Sequence, residues 1–305
     1  MLSETELTCI LENTDEINYN LFKEEHVTEK NTVNLLKIVY DYLFSKSMGS
    51  NVIISLSGGV DSMVLLALLK RLLPFGKIVA LHINYGNRDE TDLEEQFLKQ
   101  ICDANNIEFK VKRFEDYTRG SVNRNEYEER TKKERFKFYK DNMTEDSIGI
   151  FLAHHRNDEQ ENIFSNLLKG QSLIDLTALK DETVVNNVCL LRPFINITKD
   201  MIYDFAYKHS VPYFKDTTPD WSNRGKLRRK VFPVLKEIYN LEDNLDKIGL
   251  ESIELNQLIV QKIIKKYISE SVKEENGVII LNNVQDYHDM PSTFWSYIQI
   301  GRAHV

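Results

Sequence analysis

The chain has 305 residues, 42% hydrophobic and 28% charged, the balance of a soluble globular protein with room for one large domain and a smaller one. No apolar run is long enough to span a bilayer and the N-terminus MLSETELTCI has no basic leader, so the expectation is a cytoplasmic protein without a membrane partner. Cys9, Cys102 and Cys189 form no C-x-x-C, which suits a reducing compartment and argues against zinc or an iron–sulfur cluster; the net charge is −8.

That charge is unevenly spread. Residues 1–30 carry eight acids against two lysines, leaving −2 for the rest, and read as a loosely packed acidic extension. Residues 33–44 (VNLLKIVYDYLF) repeat apolar side chains at helical spacing. Residues 51–70 (NVIISLSGGVDSMVLLALLK) then divide into three parts. Residues 52–56 are a short apolar, β-branched run, the pattern of a buried parallel strand. Ser57, Gly58, Gly59, Val60, Asp61 and Ser62 form a turn whose two glycines let backbone approach a ligand closely. An almost wholly apolar helix follows. Strand, glycine turn and helix N-terminus make an anion site, because free N–H groups and the positive end of the helix dipole face whatever lies over the turn. No Gly-Lys-Ser/Thr follows the glycines, which excludes the Walker loop, and the three-glycine dinucleotide fingerprint is missing as well.

Strands are expected at 77–84, 107–114, 148–153 and 188–191, with helices at 90–105, 126–139, 158–168 and 199–209. Alternating strands and helices imply an α/β fold with a doubly wound, mostly parallel five-stranded sheet, whose ligands gather at the carboxyl ends of the strands. Residues 110–140 hold eleven Lys/Arg against six acids, and residues 224–236 hold six with no acid. Both are candidate contacts for a polyanion, or else solvated helix faces. The basic helix is expected over 224–239. Beyond it Leu245, Ile248, Leu255, Leu258, Ile259 and Ile263 line one long helix, with a strand at 278–281 and a helix near Phe294. This divides the chain into an extension (1–30), a nucleotide domain (31–240) and a mainly helical C-terminal region (241–299). Residues 300–305, IGRAHV, match one translated frame of a common sequencing-library adapter and are read as a non-native tail, with native sequence continuing past residue 299.

A second constellation is LAHHRNDEQEN, residues 152–162. A strand ends in His154-His155, and Asp158 and Glu161 open the next helix three residues apart, on one face at its positive end. Adjacent histidines point in different directions, and no closed ligand set accompanies them.

The turn SGGVDS resembles the pyrophosphate loop of the N-type ATP pyrophosphatases. With Gly86-x-Arg88 after the second strand, His-His-x-x-Asp-x-x-Glu, Arg192-Pro193 and the late Arg-rich helix, residues 50 to 236 resemble the tRNA(Ile)-lysidine synthetase family. The resemblance implies ATP and Mg²⁺ as cofactors, with Ser57, Gly58, Gly59, Val60, Asp61 and Ser62 on the phosphates and Asp61 on the metal. It implies a catalytic set of Asp61, Arg88, Arg135, Asp158 and Glu161, the two acids receiving an ammonium. Arg192, Arg224, Lys226, Arg228 and Arg229 are expected to meet tRNA. The implied partners are an isoleucine tRNA with a CAU anticodon and lysine as small substrate, with a homodimer as one candidate assembly. The sequence departs from the family at Lys132 and Asn157, at Glu159 and Gly225, and in DTTPDWSNRG. These changes leave the loop intact and fall near the expected tRNA and lysine contacts. Three other readings stand beside this one: a tRNA-thiolating PP-loop enzyme, ammonia-dependent amide synthesis as in the NAD and GMP synthetases, and a non-catalytic nucleotide-binding regulator.

Overall fold

The computed structural model describes residues 2–12, 19, 21, 30–46, 51–74, 76–86, 90–114, 124–216, 223–275 and 278–300. The chain forms two compact units, residues 1–159 with 179–226, and residues 160–178 with 227–305. Among the described residues no helix is long and apolar enough to cross a membrane.

The first unit runs α1 (Glu4–Ile10), α2 (Lys30–Ser45), β1 (Asn51–Ser55), α3 (Val60–Leu72), β2 (Lys77–Asn84), α4 (Thr91–Ala104), β3 (Glu108–Arg113), α5 (Arg124–Asn142) and β4 (Ser147–Phe151). It continues with the start of α6 (Arg156–Leu168), then β5 (Glu182–Val185), β6 (Val188–Leu191), α7 (Lys199–Lys208) and α8 (Asn223–Lys226). The strands order as β3-β2-β1-β4-β6-β5, all parallel except β5. Winding goes outward from β1 in one direction and from β4 in the other, so the switch point lies between these two strands.

The apolar runs explain why. In β1, Val52 and Ile54 face one core and Ile53 the other, so both faces of the strand are dry. Leu35, Val39 and Leu43 of α2, Phe97, Leu98 and Ile101 of α4, and Ile202, Phe205 and Ala206 of α7 complete the first core. Phe136 and Tyr139 of α5 cover the second, against Ile53, Val79, Leu81 and Ile150. α3 is apolar nearly all round and accordingly buried: Met63, Val64, Leu65, Leu66, Leu68 and Leu69 are all inside. At roughly 1.5–3 kcal/mol for each such side chain, this helix anchors the turn that precedes it.

The structure differs from the sequence reading in the acidic extension, the sheet and the basic helix. The acidic extension is not loose where it is described, because Leu7, Ile10 and Leu11 lie on one face of α1 and its end and are buried in the first core. The sheet has six strands rather than five. The missed strand, β5, pairs antiparallel with β6 through a two-residue turn in which Asn186 and Asn187 take φ of 52° and 62°. The helix expected over 224–239 is three segments, with a widened turn at Leu227–Val231 between α8 and α9 (Phe232–Ile238). Pro233 in the first turn of α9 explains the widening, since proline has no N–H to donate and its ring crowds the carbonyl four residues back.

The second unit contains the rest of α6, the turn Leu173–Asp175, Leu227–Val231, α9 and α10 (Leu241–Asn256). After the wide-turned segment Gln257–Ile264 come α11 (Lys265–Ser271), β7 (Val272–Glu275), β8 (Val278–Leu281) and α12 (Ser292–Ile300). Its first core joins Ile163, Leu176, Phe232, Leu241 and Leu245, and its second joins Ile264, Tyr267, Phe294 and Ile298. The strand β7 pairs antiparallel with β8 and was not expected. Residues 301–305 of the suspected tail lie outside the described residues.

Candidate active site

Beyond β1 the chain enters the turn through Leu56, whose carbonyl accepts from His82 Nδ1 at 2.9 Å. Burial pushes the His82 imidazole down from its ordinary value, so the ring is neutral and Nδ1–H donates. Gly58 adopts φ +83°, which an L side chain rarely tolerates. The Ser62 hydroxyl accepts from Gly58 N at 3.1 Å, donates to Gly59 O at 3.0 Å and lies 3.0 Å from Ser57 Oγ. These bonds close the turn upon itself. Gly59 caps α3 without a side-chain bond, so the first N–H groups of that helix face outward over the turn.

Asp61, in the first turn of α3, receives Lys199 Nζ on both carboxylate oxygens, at 2.6 and 2.7 Å. Lys199 starts α7, where the Asn157 side chain, in the first turn of α6, accepts its backbone N–H at 2.9 Å. Its ammonium also lies 5.1 Å from the centre of the Tyr203 ring. Beyond β4, buried His155 places Nε2 3.5 Å from Asp61 Oδ1 and 3.5 Å from Asp158 Oδ2. Its backbone N–H donates to Asp158 Oδ2 at 3.1 Å, and Arg224 pairs with Asp158 Oδ1. Lys199, Asp61, His155, Asp158 and Arg224 therefore form one line across the switch point, with the His155 imidazole between two carboxylates that each hold a cation on the far side. Burial pushes the Asp158 carboxyl up, but His155 and Arg224 outweigh it and hold it below the ordinary carboxylate value.

His154 is different. Burial drives its imidazole down to about 4, with Arg192 and Arg224 adding to the effect. Arg192 Nε donates to His154 Nδ1 at 3.3 Å, and Nη1 donates to Lys180 O and Thr183 Oγ1 at 2.8 and 2.9 Å. Arg192, expected to meet tRNA, is 4% exposed. The correction has a plain cause: its guanidinium is spent inside, orienting His154 and tying the strand end to β5.

The other expected residues are placed as follows. Glu161, one turn past Asp158 on α6, belongs to the second unit, where Arg228 pairs with it. Lys226 and Arg229 are exposed, as is Arg224. Arg135 stacks 6.0 Å from the Phe136 ring, one turn before Tyr139, whose hydroxyl lies 2.7 Å from Ser55 Oγ at the end of β1. Arg88 lies outside the described residues. The loop before it is held by Asn84, which accepts Gly86 N at 2.9 Å and donates to Glu95 at 2.9 Å. Lys199 was not singled out from sequence; the signal available was a lysine in the first turn of a helix that follows Arg192-Pro193.

A glycine turn without a Walker lysine, set at the switch point of a parallel sheet under an uncapped helix, defines a PP-loop nucleotide fold, and the PP-loop domain family matches residues 28–235. The solved structure of the U34-tRNA thiolase NcsA from Methanococcus maripaludis shares this fold, with a TM-score of 0.57 at 19% identity over 77% of this chain and 82% of that one. Within the family, the tRNA(Ile)-lysidine synthase of Chlamydia pneumoniae is 30% identical over 230 residues, 73% of this chain and 70% of that one. The tRNA(Ile)-lysidine synthase of Enterococcus faecalis is 28% identical over 229 residues, 73% of this chain and 48% of that one. The chain belongs to the tRNA(Ile)-lysidine synthase family of PP-loop proteins, and is an ATP-using ligase.

Proposed function

We propose that the protein modifies tRNA in two steps. The C2 oxygen of a cytidine attacks the α-phosphorus of ATP, the bond to the bridging oxygen breaks, and pyrophosphate leaves. The side-chain amine of lysine then attacks C2 and gives up a proton, and AMP departs as the C–N bond forms. The observation that carries this reading is the Ser57–Ser62 turn, whose outward N–H groups suit a leaving pyrophosphate and whose lack of a Walker lysine disfavours γ-phosphoryl transfer. Kinship with tRNA(Ile)-lysidine synthases supports tRNA as the substrate, and the RNA proposed is an isoleucine tRNA with a CAU anticodon.

Asp61 offers a hard carboxylate beside an anion-binding turn, which fits Mg²⁺, an ion usually held by one or two carboxylates plus substrate phosphates. When bound, the ion offsets polyphosphate charge. Lys199 orients Asp61 and adds a second cation near the departing pyrophosphate. Asp158 and Glu161 are each proposed as an acceptor for an ammonium; within its own unit Asp158 holds the Arg224 guanidinium and Glu161 that of Arg228, which supports carboxylates suited to a cation. Arg88 and Arg135 are proposed for phosphate or the adenylated base, and Lys226 and Arg229 for the tRNA backbone.

The test incubates the protein with ATP, Mg²⁺ and unmodified isoleucine tRNA with a CAU anticodon, with and without lysine. Pyrophosphate release with RNA alone, and a lysine-sized mass gain on the anticodon nucleoside only with lysine, are the expected results. Release driven by lysine and ATP without RNA, or ADP as the product, refutes the reading.

A further inference from the structure

The PP-loop family match begins at residue 28, so α1 and its continuation to Glu12 lie upstream of the family's domain. This segment is nevertheless built to hold a shape. Ser3 and Glu6 form a capping box, with Ser3 N donating to Glu6 Oε2 at 2.7 Å. Leu7, Ile10 and Leu11 then share one face and are 5%, 3% and 1% exposed. At Leu11 the helix ends in extended backbone and forms an antiparallel bridge with Phe214. Lys215 N donates to Ile10 O at 3.0 Å and Glu12 N to Tyr213 O at 3.2 Å.

The opposite edge of the same three residues grips the phosphate turn. Phe214 N donates to Gly58 O at 2.9 Å. The Phe214 ring covers Gly58 so closely that a Cβ there would fall 1.9 Å from Cε2. Tyr213 meets Tyr203 edge-on at 6.0 Å, and Tyr203 carries Lys199, the partner of Asp61. Backbone groups on an extended segment alternate in direction, so one side of residues 213–215 serves the arm and the other serves the turn.

We propose that residues 3–12 are a brace for the phosphate turn, with Leu11 and Phe214 as positioning residues that hold Gly58 in the geometry ATP requires; the inference rests on the ATP reading above. A turn with two glycines has many conformations when unsupported, and ordering it at the moment of binding lowers affinity. The arm meets that cost before ATP arrives.

The test uses the whole 305-residue chain. Leu7→Asp/Leu11→Asp detaches the arm. Glu12→Pro removes one of its two backbone bonds, and Leu11, at φ −93° and ψ 145°, already has the conformation a following proline demands. Val188→Ala, in the core on the other face of the sheet, is the stability control. ATP affinity is measured by calorimetry and amide exchange over residues 56–62 by mass spectrometry, each at a temperature where the variant is folded. Detachment is expected to raise the ATP Kd about fivefold or more and to speed exchange in the turn, Glu12→Pro to do so less, and Val188→Ala to change neither. Leu11→Ile is expected to retain wild-type values. Unchanged affinity and exchange in the detached variant, or equal changes in Val188→Ala, overturn the inference. If the wild-type chain binds no ATP, the ATP reading falls, and exchange in the turn alone decides whether the brace exists.

Discussion

Replacing Gly58 with alanine tests the turn at the point where backbone and packing are both at their limit. The backbone at φ +83° is left-handed, at a cost of roughly 1–2 kcal/mol for an L residue. The new Cβ would also lie 1.9, 2.2 and 2.8 Å from three atoms of the Phe214 ring, far inside contact distance, so ring or turn must move. Phe214 is only 6% exposed, and driving its ring out forfeits roughly 1.5–3 kcal/mol of burial. Gly58→Ala should therefore cost about 3–5 kcal/mol and lower Tm by about 10 °C. The assay that isolates the contact is a double-mutant cycle with Phe214→Ala, read by denaturant unfolding and by ATP binding. With the ring gone, only the backbone strain of the introduced alanine remains, so the double mutant should be more stable than the two singles predict, by about 2 kcal/mol. Additivity of the two changes to within about 0.5 kcal/mol would refute the reasoning.

Asp61→Ala should lower AMP formation at least ~100-fold in a chain that still folds, because the side chain lies on a polar turn outside the hydrophobic cores; near-normal turnover in the folded mutant removes Asp61 from the mechanism. The His154 imidazole falls to about 4 from an ordinary 6.5, so between these values the unfolded chain binds more protons and stability falls as pH drops from 6.5 toward 4. The loss is on the order of 3 kcal/mol, with buried His82 adding in the same direction, and melts across this range should show a shallower slope for His154→Gln. An identical slope places the titration elsewhere. Lys226→Ala/Arg229→Ala should weaken tRNA binding and lower the slope of log K against log salt by about two, one per phosphate contact; an unchanged slope makes these residues a solvated face.

The central strands and the turn were legible because each obeys one strong local rule. A dry β-branched run can only be inside, and SGGVDS between such a run and an apolar helix has few other uses. β5 escaped because it is a four-residue edge strand with Val184 68% exposed; the Asn-Asn pair that turns it was the readable signal. Lys199 escaped because nothing local distinguishes it from a solvated helix lysine, and its partner Asp61 lies 138 residues away. Arg192 was misjudged for the converse reason. An arginine beside a proline carries no mark of burial, and only the fold shows its donors turned inward. The arm escaped because its acidic average hid the spacing of Leu7, Ile10 and Leu11.

The two edges of the sheet bear on how copies of the chain associate. β3 lies at one edge and carries Lys110 and Lys112, in ion pairs with Glu108 and Glu134. At the other edge β5 is short, and Glu182 is tied to Lys46 at 2.5 Å. A second copy adding antiparallel to β3 would bring lysines against lysines, and β5 offers only four residues to pair. The six-stranded sheet is thus guarded at both edges against edge-to-edge growth.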